Sequence, residues 1–136
     1  MTQIGRDSPA ERIALPAGGS VTLAWAATTD VGNRRQVNED SFLAAPPIFA
    51  VADGMGGHAA GDLASDAVVN RLAGTFPSGF ATPAAIGLAL ARAAQDIAHL
   101  EGTSVLGAGT TVTGIALTLS GEDPYFAVFN VGDSRV

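Results

Sequence analysis

The alternation of apolar and polar residues divides the chain into short strands and two helices. Five apolar or alternating runs have the length and composition of strands: Val21–Ala27, Ser41–Ala45, Ile48–Ala52, Thr111–Leu119 and Tyr125–Val131. Apolar residues at helical spacing predict one helix through Leu63–Leu72 and a second from Pro83 to about Leu100. Residues 1–20 mix charge, proline and glycine without a period, which predicts a loose N-terminal arm before a domain over residues 21–136.

The order of these elements indicates the fold class. Three strands come first, two helices follow, and two strands end the chain. Consecutive strands are joined by connections too short for a parallel crossover, so they should pair antiparallel. We therefore predict an α+β fold in which two helices pack on an antiparallel sheet.

Composition excludes several classes of function. The net charge is −6, with seven arginines and no lysine, which argues against a nucleic-acid or anionic membrane surface. The absence of cysteine excludes thiol-based phosphatase and protease mechanisms and thiolate zinc sites. The longest apolar run, Leu43–Ala52, contains two prolines and is too short to span a bilayer. A cytoplasmic protein without a membrane partner is expected.

The segment from Ile48 to Ala64 changes character at Asp53. The residues before Asp53 are apolar and fit a strand buried on both faces. A carboxylate at the end of such a strand must be paired, hydrogen-bonded or bound to a cation. Three of the next four residues are glycine, which allows a sharp turn or a close approach of the backbone, and helical spacing follows. The unit is a strand, an acid, a glycine turn and a helix.

Three interpretations of this unit remain open from the residues alone. It can be a structural turn with a capping aspartate. It can be a dinucleotide fingerprint, since Gly54-x-Gly56-x-x-Ala59 follows a strand and opens a helix. Asp53 counts against that interpretation, because it would lie near the pyrophosphate and no acid follows about 20 residues later. It can also place Asp53 as a ligand of a hard metal ion, which requires further acids.

Further acids lie beside other strands. Glu39 and Asp40 precede the second strand, and Asp133 follows the last one. Strand ends in one antiparallel domain can meet at one edge, and ligands that are all oxygens select Mg²⁺ or Mn²⁺ over zinc. Because Glu39 and Asp40 are adjacent, their side chains should point in opposite directions, so that only one enters a shared site.

Four segments, taken in order, resemble one known family. They are Thr29-Asp30-x-Gly32-x-x-Arg35-x-x-Asn38-Glu39-Asp40, Val51-Ala52-Asp53-Gly54-Met55-Gly56-Gly57-His58, Gly109-Thr110-Thr111 and Val131-Gly132-Asp133-Ser134-Arg135. Together they are similar to the successive motifs of the bacterial type 2C (PPM-type) metal-dependent serine/threonine protein phosphatases. The resemblance implies an antiparallel β-sandwich flanked by helices in α/β/β/α layers, of which this chain carries the N-terminal part.

The resemblance also implies a set of site residues. The position of Asp53 bridges two Mg²⁺ or Mn²⁺ ions, while Glu39 and the carbonyl group of Gly54 hold one of them. The position of Asp133 helps to bind a third ion seen in bacterial members. Arg35 receives the substrate phosphate, and a guanidinium suits that role because its fork binds two phosphoryl oxygens. Asp53 and Arg35 are thus the catalytic candidates.

Other positions support the site or depart from the family pattern. The supporting residues are Asn38, Asp40 and His58. Eukaryotic relatives often have histidine, with a general-acid role, where this chain has Met55, and His58 is then the nearest candidate. Arg34 could compete for phosphate, but Arg35 alone keeps the spacing of the motif to Gly32.

The implied function is hydrolysis of phosphoserine and phosphothreonine in a protein substrate of a serine/threonine kinase. A full-length form is expected to be a monomer. The later Asp-Gly and Asp-Asn motifs of the family would lie beyond Val136, so the 136 residues alone should be inactive. The alternative is a non-catalytic metal-binding or interaction module built on the same fold.

Overall fold

The computed structural model describes residues 1–56, 60–76, 79–101 and 107–136. Over these residues the chain forms eight strands and two helices. In chain order they are β1 (Gln3–Gly5), β2 (Ser8–Ala14), β3 (Ser20–Trp25), β4 (Asp40–Ala45), β5 (Ile48–Met55), α1 (Ala60–Thr75), α2 (Pro83–Glu101), β6 (Gly109–Thr110), β7 (Val112–Ser120) and β8 (Asp123–Val131).

The strands form one large and one small sheet. The large sheet has the order β1-β4-β5-β7-β8, with β6 paired to the end of β5. All its pairs are antiparallel except β1 with β4. β2 and β3 form an antiparallel two-stranded ribbon. The α+β class with an antiparallel sheet and two helices is thus confirmed.

β1 and β2 lie where the sequence predicted a loose arm. β1 pairs with β4, and β2 pairs with β3 across a turn closed by hydrogen bonds between Leu15 and the residues Gly18 and Gly19. Most side chains of β2 are exposed, so the strand is held by backbone pairing and leaves no apolar period in the sequence. The prediction of a segment without regular structure was therefore wrong. The domain boundary at residue 20 stays a prediction.

The hydrophobic core lies between the large sheet and the helices. α1 presents its buried face to β4 and β5. The core includes Leu43, Ile48 and Ala50 of the sheet together with Val69 and Leu72 of α1. No helix of the described residues is long and apolar enough to cross a membrane.

The helix boundaries follow local chemistry. Thr82 caps α2, because its Oγ1 accepts a hydrogen bond of 3.2 Å from the amide of Ala85. Pro83 is the first helical residue, as predicted. α1 begins at Ala60, before the first apolar residue of its predicted period. On the outside of the helix pair, Arg71 donates two hydrogen bonds, of 2.6 and 2.8 Å, to the carboxylate of Asp96.

The opposite face of the large sheet is partly covered. Trp25 of β3 packs edge-on against Phe49, with ring centroids 5.1 Å apart. Beside this contact a cleft of about 520 Å³ lies between β3 and the strands β4, β5, β7 and β8. Val51 and Val128 on this face are 51% and 64% exposed. This face of the sheet is therefore apolar and open beyond the ribbon.

The strand register brings four strand ends together. Asp40 at the start of β4 lies opposite Asp53 near the end of β5. Val51 pairs with Thr113 near the start of β7, and Val112 pairs with Val131 at the end of β8. The acids that the sequence placed at strand ends therefore lie along one end of the sheet.

Candidate metal centre

The loop between β3 and β4 is closed by its own polar side chains. Asn38 donates from Nδ2 to the hydroxyl of Thr29 over 2.8 Å, and its Oδ1 accepts the amide of Asp40 over 3.0 Å. Asp30 accepts the amide of Gly32 over 2.7 Å, in a turn where Gly32 has φ +72°. The hydrogen bonds of Asn38 therefore link the two ends of the loop and fix the backbone at the start of β4.

Asp40 and Asp53 face each other at this end of the sheet. They are direct partners in the antiparallel register, so their side chains point to the same face. The pKa of Asp40 is raised above 3.8 by burial first, then by the negative charge of Asp53 and a hydrogen bond with it. The Thr29 hydroxyl and the Arg35 charge act in the opposite direction. Two carboxyl groups held together in this way favour a proton or a cation between them.

Arg35 joins these acids in a small polar pocket. The pocket has a volume of about 250 Å³. It is lined by Asp30, Val31, Arg35, Val37, Asn38, Asp40 and Asp53. Arg34 is not among these lining residues. The structure therefore places the predicted phosphate-binding arginine next to the two carboxyl groups.

Glu39 is not among the residues that line that pocket. Its carbonyl oxygen accepts hydrogen bonds from the Gly54 amide, over 3.2 Å, and from the Ser65 hydroxyl, over 2.7 Å. One of its carboxylate oxygens lies 2.8 Å from the place that a Cβ on Gly61 would take. A Cβ on Gly54 would collide with the carbonyl of Gly61. Glu39 and Gly54 therefore meet where the first turn of α1 crosses β5.

The end of β5 is held from the other side by two threonines. Thr110 donates from its hydroxyl and Thr111 from its amide to the carbonyl of Asp53, each over 3.0 Å. The hydroxyl of Thr111 also lies 2.7 Å from that of Ser134. Asp133 stands beside this contact and is exposed. These threonines position the backbone of Asp53, a role that their place in the sequence motif did not reveal.

Asp53 lies within a strand and not after one. The sequence predicted that the strand stops at Ala52, but β5 continues to Met55 because β4 and β6 pair with this extension. The continuation places Asp53 in register with Asp40. The short β6 pairs with this extension through Gly54 and Met55.

The donor set suits a hard cation but is incomplete. Carboxylate and carbonyl oxygens are the ligands that Mg²⁺ and Mn²⁺ prefer. The glycines at the crossing bring the backbones of Gly54, Gly61 and Glu39 close together. Among the described residues, however, no three acids or histidines come close enough together to hold a metal ion. His58 lies outside the described residues. The described residues therefore provide only part of the ligands of a metal centre.

Comparison with known proteins identifies relatives over part of the chain. No protein-family profile matches the sequence. The serine/threonine protein phosphatase PstP of Mycobacterium tuberculosis is 50% identical over 54 residues, which are 40% of this chain and 10% of that protein.

Solved structures match over most of the chain. The serine/threonine phosphatase PstP/Ppp of M. tuberculosis superposes with a TM-score of 0.70 at 38% identity, over 81% of this chain and 47% of that one. The catalytic domain of PstP in complex with two manganese ions gives 0.71 at 37% identity, over 81% and 48%. The PPM Ser-Thr phosphatase MsPP of Mycobacterium smegmatis, in complex with cacodylate, gives 0.68 at 32% identity, over 79% and 44%.

The matches agree with one another in fold and in sequence. The chain spans about half the length of the solved phosphatases and a tenth of the length of the curated relative. By sequence and by fold, the chain belongs to the PPM-type serine/threonine phosphatases and corresponds to an N-terminal part of their catalytic domain.

Proposed function

We propose that the chain forms half of the active site of a metal-dependent phosphatase that hydrolyses phosphoserine and phosphothreonine in proteins. The observation that carries the proposal is the pocket at the sheet end, where Asp40 and Asp53 face each other beside Arg35. Two acids and one arginine provide oxygen ligands for metal ions and a fork for a phosphoryl group. The family of the chain supports the same chemistry.

Asp53, Glu39 and the carbonyl group of Gly54 would hold the metal ions. Asp133 serves a further ion. Support comes from the position of Asp53 opposite another carboxyl group and from the meeting of Glu39 with Gly54. When bound, the ions activate a water molecule and stabilise charge on the phosphoryl oxygens. Manganese is supported by the complex of PstP with two manganese ions, and Mg²⁺ suits the same oxygen donors.

Arg35 binds and orients the phosphate group of the substrate. Its guanidinium is exposed and lines the same pocket as both acids, so it can reach a phosphoryl group placed there. Asn38 and Asp40 support the site, the first by closing the loop and the second by lining the pocket beside Asp53. The role of His58 as a general acid stays a prediction.

The partner is a phosphorylated protein, the product of a serine/threonine kinase. The relatives are protein phosphatases, which supports this substrate class. The monomeric state of a full-length form and the cytoplasmic location stay predictions from the sequence.

A non-catalytic metal-binding or interaction module is the second candidate. It is favoured by one observation, the absence of a group of three metal-binding side chains among the described residues. Both candidates have the same fold, but only the first one hydrolyses a phosphoester.

The test is Mn²⁺ binding followed by turnover. Titration of the isotopically labelled chain with Mn²⁺ should broaden the amide signals of Glu39, Asp53 and Gly54 first, since a paramagnetic ion acts on nearby nuclei. Broadening confined to other acids would contradict the assignment. The longest form that the gene encodes should then hydrolyse a phosphothreonine peptide in Mn²⁺, and binding without hydrolysis would favour the second candidate.

A further inference from the structure

The first turn of α1 passes unusually close to Glu39 and to β5. At Gly61, the second residue of α1, an added Cβ would lie 2.8 Å from the Oε1 of Glu39 and 2.8 Å from the amide nitrogen of Met55. It would also lie 2.9 Å from the carbonyl carbon of Gly54. Any side chain at this position would therefore displace the Glu39 carboxylate or part the helix from the strand.

Ser65 contacts the same residue from one turn further along α1. Its side chain is fully buried, and its hydroxyl donates to the carbonyl of Glu39 over 2.7 Å. The hydroxyl of Ser41 lies 2.9 Å from that of Ser65, and it also lies within hydrogen-bonding distance, 2.8 Å, of the Asp66 carboxylate. A buried hydroxyl in this network holds its partners in one geometry, because breaking it leaves polar groups unpaired.

Gly61 and Ser65 lie four residues apart and so share one face of the helix. Gly61 leaves the space that the carboxylate of Glu39 occupies, and Ser65 fixes the backbone of the same residue. We propose that this Gly61–Ser65 face of α1 is the element that positions Glu39 for the metal centre. The inference rests on the proposed function, in which Glu39 is a metal ligand.

Other helical glycines show that this contact is specific. At Gly74 of α1 and Gly87 of α2 an added Cβ would meet nothing within 4 Å. Alanine at either position should therefore leave Glu39 undisturbed. Gly74→Ala is the matched control, since it makes the same change in the same helix.

The first experiment is a mutant cycle in the presence of a chelator, using the full 136-residue chain. Thermal unfolding is measured for the parent, Gly61→Ala, Glu39→Ala and the double variant. The loss caused by Gly61→Ala should be smaller in the Glu39→Ala background, because the added methyl then meets no carboxylate. Equal losses in both backgrounds, or failure to fold in both, would show that Gly61 serves only the backbone crossing and would overturn its role toward Glu39.

The second experiment measures Mn²⁺ affinity by calorimetry. Ser65→Ala adds no atoms, so it should fold, yet it should weaken binding about tenfold, as expected when a residue that orients a metal ligand is lost. Gly74→Ala should bind as the parent does. In the Glu39→Ala background, Ser65→Ala should have no further effect. Unchanged affinity in folded Ser65→Ala, or an equal loss without Glu39, would overturn the proposal.

The two experiments separate this inference from the proposed function. A parent chain that binds no Mn²⁺ through Glu39 would contradict the proposed metal centre. The cycle in chelator would still decide whether the Gly61–Ser65 face holds Glu39, since it requires no metal ion.

Discussion

The fold disfavours the ionised form of the Asp40 side chain. Burial and the neighbouring Asp53 charge raise its pKa above 3.8, so the folded chain binds this proton more tightly than the unfolded chain does. The resulting stabilisation is complete below pH 3.8 and is lost as the pH rises through the folded pKa. At neutral pH the ionised pair with Asp53 therefore lowers the free energy of unfolding.

This charge pair gives a prediction with opposite signs for stability and for metal binding. In a chelator at pH 7, Asp53→Asn should unfold at a higher temperature than the parent, and the difference should shrink towards pH 4 as Asp40 is protonated. The same variant should bind Mn²⁺ at least about tenfold more weakly, since it loses the proposed bridging ligand. Differential scanning calorimetry and Mn²⁺ titration measure the two effects.

The control for Asp53→Asn is Glu122→Gln, which removes one negative charge at the exposed β7–β8 turn. It should change neither the metal-free stability nor the affinity for Mn²⁺ appreciably. If Asp53→Asn and the parent bound Mn²⁺ equally, Asp53 would not be the bridging ligand.

The choice between two adjacent arginines can be tested in the longest form that the gene encodes. Arg35→Lys keeps the charge but loses the fork, so the KM for a phosphothreonine peptide should rise about tenfold. Arg34→Lys should leave KM unchanged, because Arg34 does not line the pocket of Asp40 and Asp53. Steady-state kinetics on both variants decide the matter, and a raised KM in Arg34→Lys alone would show that the phosphate binds there.

At the residue scale, the sequence indicated a site for metal ions but did not indicate which acids lie opposite each other. Acids beside buried strands pointed to Asp53 as a metal ligand because a charge there needs a partner. The register that sets Asp40 opposite Asp53 depends on strand lengths, and β5 continues beyond the apolar run. The positioning of Glu39 by Gly61 depends on a helix crossing, which a local pattern does not encode.

At the scale of elements, the helices carry a glycine that the fold does not require. Gly87 lies on the exposed side of α2, and an added methyl would meet nothing within 4 Å. Gly87→Ala should therefore raise the free energy of unfolding by about 1 kcal/mol, because alanine loses less backbone entropy in a helix. The midpoint of thermal unfolding should rise by roughly 4 °C. A lower midpoint would mean that this face of α2 is not free.

Elements with an apolar or alternating run were predictable, including β3, whereas β1 and β2 were not. Both helices and β4, β5, β7 and β8 follow from apolar periods, since their inner faces pack on one core. β2 has no such period because most of its side chains are exposed, and β1 is a strand of three residues. β7 and β8 also continue beyond the predicted strand ends at Leu119 and Tyr125, because Ser120 pairs with Asp123.

At the scale of the whole molecule, the large sheet has one face covered by the helices and one open face that β3 covers only in part. The open face carries Val51, Phe126 and Val128, which are 51%, 44% and 64% exposed. β8 is the last strand in the sheet order among the described residues, so its outer edge offers unpaired backbone groups. Apolar faces and free edges of this kind favour association, which the net charge of −6 offsets only in part.

The last prediction is that the 136 residues alone associate and hydrolyse little phosphoester. Among the described residues no three acids or histidines lie close enough together to hold a metal ion, so the metal ions should bind weakly and turnover should be near background. Light scattering reports the oligomeric state, and p-nitrophenyl phosphate in millimolar Mn²⁺ reports activity. Val128→Thr, which makes the open face more polar and keeps the side-chain shape, should reduce association without restoring turnover. A monomeric parent chain with robust Mn²⁺-dependent hydrolysis would show that these residues form a complete catalytic unit.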